Sequence, residues 1–198
     1  MANTNKNGKS FTKNLTMVAI LTAITVVLQI VALVSRPFLP FSITLSLFPI
    51  VIGAALCGPV TSSWLGFAFG VTVLLSGDAA AFLTVNIPGT IITVLAKGTL
   101  AGLAAGLIYK LASKVNGYFG VFCSAVAAPV VNTGVFLLGC KLFFMDTITS
   151  WAEAAGSPNV GSYIILSFVG INFLIELGVN MVCSPIILRL INIRKKEG

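Results

Sequence analysis

Six apolar runs, each parted from the next by a few polar, glycine or proline residues, occupy most of the chain from Leu15 to Ile193. A helix needs about 20 residues to cross the hydrocarbon of a bilayer, and a backbone in lipid must satisfy its own hydrogen bonds. The runs therefore predict an all-α integral membrane protein, a compact bundle of six transmembrane helices. The expected spans are 15–34, 43–57, 60–75, 88–111, 119–144 and 163–193. The second is short and interrupted by Pro49; Gly58-Pro59 turns it into the third. Pro88 suits the first turn of the fourth. Composition agrees: 57% of the 198 residues are apolar and 9% charged, with a mean hydropathy of +1.05. Soluble domains carry about 25% charged residues, so soluble enzymes and water-soluble binding modules are poor readings.

The formal charge of +7 is segregated. Lys6, Lys9 and Lys13 lead the chain, Lys110 and Lys114 separate two apolar runs, and Arg189, Arg194, Lys195 and Lys196 close it. Basic residues that cap hydrophobic segments carry topology, and no nucleic-acid partner is expected. Six spans put both termini on one side, and the positive-inside bias makes that side cytoplasmic. The outer connections, 35–42, 76–87 and 145–162, hold Asp78, Asp146 and Glu153 but only Arg36 as a basic residue. The chain then divides into a flexible basic N-terminus (1–14), a membrane domain (15–193) and a basic cytoplasmic tail (194–198). The first apolar run lacks a small-residue cleavage site and reads as a transmembrane helix, not a removable signal. Phe38, Phe41, Phe82, Trp151, Pro37, Pro40 and Pro158 in the outer loops suit lids over a cavity or interfacial anchors.

Polar residues inside the runs are the functional candidates, because they are costly against lipid. Asn172, Glu176 and Asn180 follow i, i+4, i+8 spacing and share one side of the last helix. Lys97 lies about 13 Å from the outer end of the fourth span at ~1.5 Å per residue, too deep for easy snorkelling. It shares a face with Thr90 and Thr93, with Asn86 just above. Asn132 sits midway along the fifth span, after Pro129, which leaves the Ala125 carbonyl without its usual donor. If the helices run antiparallel, Lys97, Asn132, Asn172 and Glu176 lie at similar depth. Two readings stay open: a Lys97–Glu176 ion pair, or contact of one or both with a bound zwitterion or acid. Asn180, nearer the cytoplasm, reads as a helix-packing amide.

Small residues mark close helix approach. Gly66 and Gly70 on the third span, and Gly98, Gly102 and Gly106 on the fourth, read as internal packing. Ala19 and Ala23 repeat the spacing near the cytoplasmic end of the first. Catalytic machinery is not expected. The chain has no histidine, no GxSxG or Walker motif, and no second carboxylate at helical spacing from Glu176. Its four cysteines lack ligand spacing and read as small buried hydrophobes. Neither metal nor cofactor is implied.

The order of these features resembles a family. A basic N-terminus leads into Ala19-Ile-Leu-Thr-Ala23, and a Ser/Thr-rich loop leads into LSLFPIVIGAALCGP at 45–59. Pro49, Gly53, Gly58 and Pro59 are similar to the framework between the second and third helices of energy-coupling factor (ECF) transporter S components. The resemblance covers nearly the whole chain. It implies a multi-pass protein of a prokaryotic plasma membrane that captures a vitamin or related micronutrient from outside. Such a subunit docks, through the A-x-x-x-A face, on a T component carrying two ATPases, so Ala19 and Ala23 would meet that partner. It also implies a ligand site in the outer half, comprising Thr93, Lys97, Asn132, Trp151, Tyr163, Asn172 and Glu176. Riboflavin-, folate- and pantothenate-type members look closest, and no signature selects one. The alternative is a self-sufficient secondary transporter of a small polar solute.

Overall fold

Gly58 makes a tight turn between two apolar helices. Its φ of 91° lies in the left-handed region open to glycine, its amide donates to the Gly53 carbonyl at 3.1 Å, and Pro59 opens the next helix. A computed structural model provides the structure of the protein. It describes residues 3–35 and 45–196, except the side chains of 3–11, 35, 168, 171, 172 and 194–196. The loop residues Arg36, Pro37, Phe38, Pro40 and Phe41 lie outside the described residues.

Among the described residues the chain is helical: α1 (Asn3–Ser35), α2 (Leu47–Cys57), α3 (Pro59–Leu75), α4 (Ala80–Leu83), α5 (Ile87–Ala112), α6 (Gly117–Phe143), α7 (Met145–Ala154), α8 (Val160–Ile164) and α9 (Gly170–Lys196), with a π-helical turn at Ile165–Val169. Among the described residues four helical stretches are long and apolar enough to cross a membrane: Thr12–Val34, Ile87–Ala112, Gly117–Phe143 and Phe173–Ile193. Shorter are α2, at 11 residues, and α3, at 17. Asn86 and Asn116 start α5 and α6 by accepting the amides of Gly89 (2.9 Å) and Tyr118 (3.1 Å), the usual N-cap chemistry.

The connections expected on the outer side differ from plain loops. The 76–87 connection contains α4, and the 145–162 connection contains α7 and the start of α8. The expected span from Tyr163 is not one helix either. The π turn and Gly170, at φ −1° and ψ −118°, separate α8 from α9, so the long apolar helix begins at Gly170. Helical backbone at the other end starts at Asn3, well before Leu15.

The core sits where α2 is enclosed by α1, α3, α5, α6 and α9. Leu47, Ile50 and Val51 are fully buried, as expected of a helix apolar on all sides. The closest packing joins α3 to α5. A Cβ on Gly66 would overlap the Gly98 carbonyl, one on Gly102 would overlap that of Ser62, and one on Gly70 would lie 2.9 Å from the Val94 oxygen. The two ridges foreseen as packing surfaces are one antiparallel seam. Elsewhere large apolar side chains face outward, including Leu75, Val60 and Val182 at 83%, 82% and 77% exposure. That suits lipid.

Candidate functional site

Helix register brings the intramembrane polar residues to one level. Ser124 of α6 donates to the Ala105 carbonyl of α5 at 2.9 Å, and Gly139 of α6 meets Thr93 of α5. Between these contacts Asn132 is about level with Lys97. Tyr118 of α6 shares a groove with Arg189 and Asn192 of α9, and Asn132 and Glu176 each lie about four turns further along from it. Lys97, Asn132 and Glu176 thus share a depth on α5, α6 and α9. Asn132 and Glu176 are buried, at 6% and 7% exposure. Lys97 is half-buried. Asn172 belongs to α9, one turn before Glu176, with its side chain outside the described residues.

Aromatic rings surround the lysine and extend from it. Its Nζ lies 5.2 Å from the centre of the Phe136 ring and 6.0 Å from that of Phe69, a cation–π distance for the first and its outer limit for the second. Phe82 of α4 packs edge-on against Phe136 (5.7 Å), Phe144 (5.0 Å) and Trp151 (5.7 Å). Tyr163 and Trp151 pack against the same cluster, around Cys140, Phe144 and Ile148. Trp151 and Tyr163 therefore join Lys97 through a continuous aromatic wall. Phe69 and Phe136 went unassigned in the sequence, because an aromatic in an apolar run gives no sign of which helix it will face; Phe82, expected as a lid or interfacial residue, packs in this wall.

Two polar atoms here are buried without a hydrogen-bond partner among the described residues: Thr93 Oγ1 and Asn132 Oδ1. Their neighbour Thr90 returns its hydroxyl to the Asn86 carbonyl at 2.8 Å, so Asn86 and Thr90 are satisfied locally. The Thr93 side chain instead packs where Gly139 leaves room for it. Buried oxygens of this kind normally have a partner. An acceptor amide, a hydroxyl, a cation and an aromatic wall can together hold a small polar molecule that has a flat or apolar portion. Asn180, at 1% exposure, donates to the Glu176 carbonyl at 2.8 Å and leaves its own Oδ1 unpaired.

A second polar cluster lies between α1 and the end of α3. Gln29 donates to Asp78 Oδ2 at 3.1 Å, and Ser46 donates to Gln29 Oε1 at 3.0 Å. Gln29 and Ser46 are 2% and 0% exposed. The signal for it was present: Gln29 is the single glutamine of the chain and lies in an apolar run. Ala19 and Ala23 are exposed on α1, whereas Leu21, Thr25, Gln29 and Ala32 form its buried stripe. Among the described residues no group of three or more His, Cys, Asp or Glu could hold a metal ion.

The family model described as ECF transporter, substrate-specific component, matches residues 13–188. Neither a curated protein nor a solved structure matches the chain. The family description implies a small-molecule substrate and, in general, T-component and ATPase partners. With its long apolar helices, the chain is a multi-pass membrane protein and belongs to the substrate-specific components of ECF transporters.

Proposed function

We propose that the chain captures a vitamin or related micronutrient from outside and delivers it through a separate T component and two ATPases. The carrying observation is the pair of buried, unpaired oxygens, Thr93 Oγ1 and Asn132 Oδ1, beside an intramembrane lysine. A ligand that supplies donors to these atoms removes their desolvation cost, which is about 1–3 kcal/mol for each such group. Lys97 and Glu176 hold the polar end of that ligand, and Trp151 and Tyr163 close the aromatic side. Asn172 completes the site from α9. In this reading the chain binds its substrate without transforming it.

Six crossings, with both termini in the cytoplasm, fit the charge pattern best. The basic end then faces inward and the end bearing Asp78, Asp146 and Glu153 faces outward. At 1.5 Å per residue α2 is only about 16 Å long, but it is sheathed by other helices and need not match the lipid thickness. The membrane domain is taken as 15–193, between a basic N-terminal segment and a basic tail.

The test is mass-spectrometric identification of whatever co-purifies with the full chain, followed by direct binding of that molecule without ATP. Lys97→Ala should weaken binding by about tenfold or more, in line with loss of a charged contact, while folded yield falls less. Equal loss of yield and binding would instead assign Lys97 to an ion pair that holds the bundle. Uptake by the chain alone, driven by an ion gradient without the ATPases, would establish the secondary-transporter alternative.

A further inference from the structure

We infer that the groove between the start of α6 and the end of α9 binds the headgroup of an anionic phospholipid. This inference is independent of the substrate site. The groove has a volume of about 470 Å³ and is lined by Tyr118, Pro185, Leu188, Arg189, Asn192 and Ile193. Arg189 is exposed and makes no hydrogen bond or ion pair among the described residues. Its guanidinium is suited to paired contacts with phosphate oxygens. The Tyr118 hydroxyl and the Asn192 amide add neutral donors to the same lining.

The electrostatic setting favours an anion. Of the chain's 12 Lys and Arg residues, Lys13, Lys110, Lys114 and Arg189 belong to this end, and Lys6, Lys9, Arg194, Lys195 and Lys196 lie near it in sequence. The acidic residues Asp78, Asp146, Glu153 and Glu176 fall elsewhere, leaving Glu197 alone near it in sequence. The positive end of the α6 dipole also points here.

Apolar surroundings decide for a lipid over a dissolved anion. Phe122, one turn above Tyr118, is 44% exposed, and Ile186, beside Pro185, is 54% exposed. An acyl chain can lie along these residues while its phosphate stays at Arg189. Basic pockets between helices at a cytoplasmic surface recognise lipid headgroups on this principle.

The experiment uses the full chain in neutral detergent, with phosphatidylglycerol, phosphatidylcholine or inorganic phosphate added. Retained lipid is read by native mass spectrometry and stability by melting temperature. Phosphatidylglycerol should be retained about tenfold better than phosphatidylcholine, and Arg189→Gln should remove that preference. Arg189→Lys should keep part of it. Because Arg189 is exposed and has no partner among the described residues, Arg189→Gln should melt normally in lipid-free detergent. Equal retention of the two lipids, or an unchanged preference in Arg189→Gln, would overturn the inference. So would displacement of the lipid by millimolar inorganic phosphate, which would make the groove a free-phosphate site. Retained lipid preference in Arg189→Gln with lost T-component association would make it a protein interface, and would overturn the inference too.

Discussion

Thr93 and Gly139 show how a single position separates binding from folding. The Thr93 hydroxyl is buried without a partner among the described residues, so there it contributes desolvation cost and no compensating bond. Thr93→Val keeps the shape and removes the orphaned group. The expected outcome is an unchanged or raised melting temperature for the ligand-free chain, with affinity for the co-purifying ligand reduced about 3- to 10-fold. A drop in both would mean that the hydroxyl serves the fold. Gln29 is the opposite case, with both ends of its amide engaged. Gln29→Leu removes one donor to Asp78 and the acceptor of the Ser46 hydroxyl and should lower stability by about 1–3 kcal/mol. Thermal unfolding in detergent measures that loss.

At the scale of elements, α3 and α5 are joined by backbone contact. Any side chain on Gly102 would press on the Ser62 carbonyl, and backbone cannot rotate away as a flexible side chain can. Gly102→Leu should therefore cost about 3 kcal/mol or more and appear as aggregated or low-yield protein on size exclusion. A normal melting temperature in this variant would contradict the seam. The glycine spacing was legible because i, i+4 repetition defines a helix face on sequence alone. The break ahead of α9 was not legible. The residues from Tyr163 to Gly170 are as apolar as the helix they precede, so hydropathy runs through a π turn without a mark. The short helix α4 escaped because four residues are too few to show a period. Helix α7 does carry a helical period, with Ile148 and Ala152 buried one turn apart, but its polar residues made it read as a loop. Packing of Phe82 and Ile148 against the aromatic cluster holds the two.

For the whole molecule, assembly turns on α1. It packs against α2 and α3 and leaves Ala19 and Ala23 exposed. Small residues on an outward face permit close approach by another helix. Ala19→Trp or Ala23→Trp should leave ligand binding intact and abolish co-purification with the T component and ATP-dependent uptake. Normal uptake in both variants would place the docking face elsewhere.

Membrane residence, helical class and the ends where charge collects were determined by sequence alone, because hydropathy and charge are sums over residues that need no partner. Intramembrane Lys97, Asn132 and Glu176 announced themselves in the same way, as polar groups in apolar runs. Only the tertiary structure decided what surrounds them: the rings of Phe69 and Phe136 at the lysine, the missing partners of Thr93 and Asn132, and the burial of α2 on every side. These depend on the register between helices distant in sequence. That register is set by backbone contacts such as Gly66 on Gly98, for which no single helix carries the information.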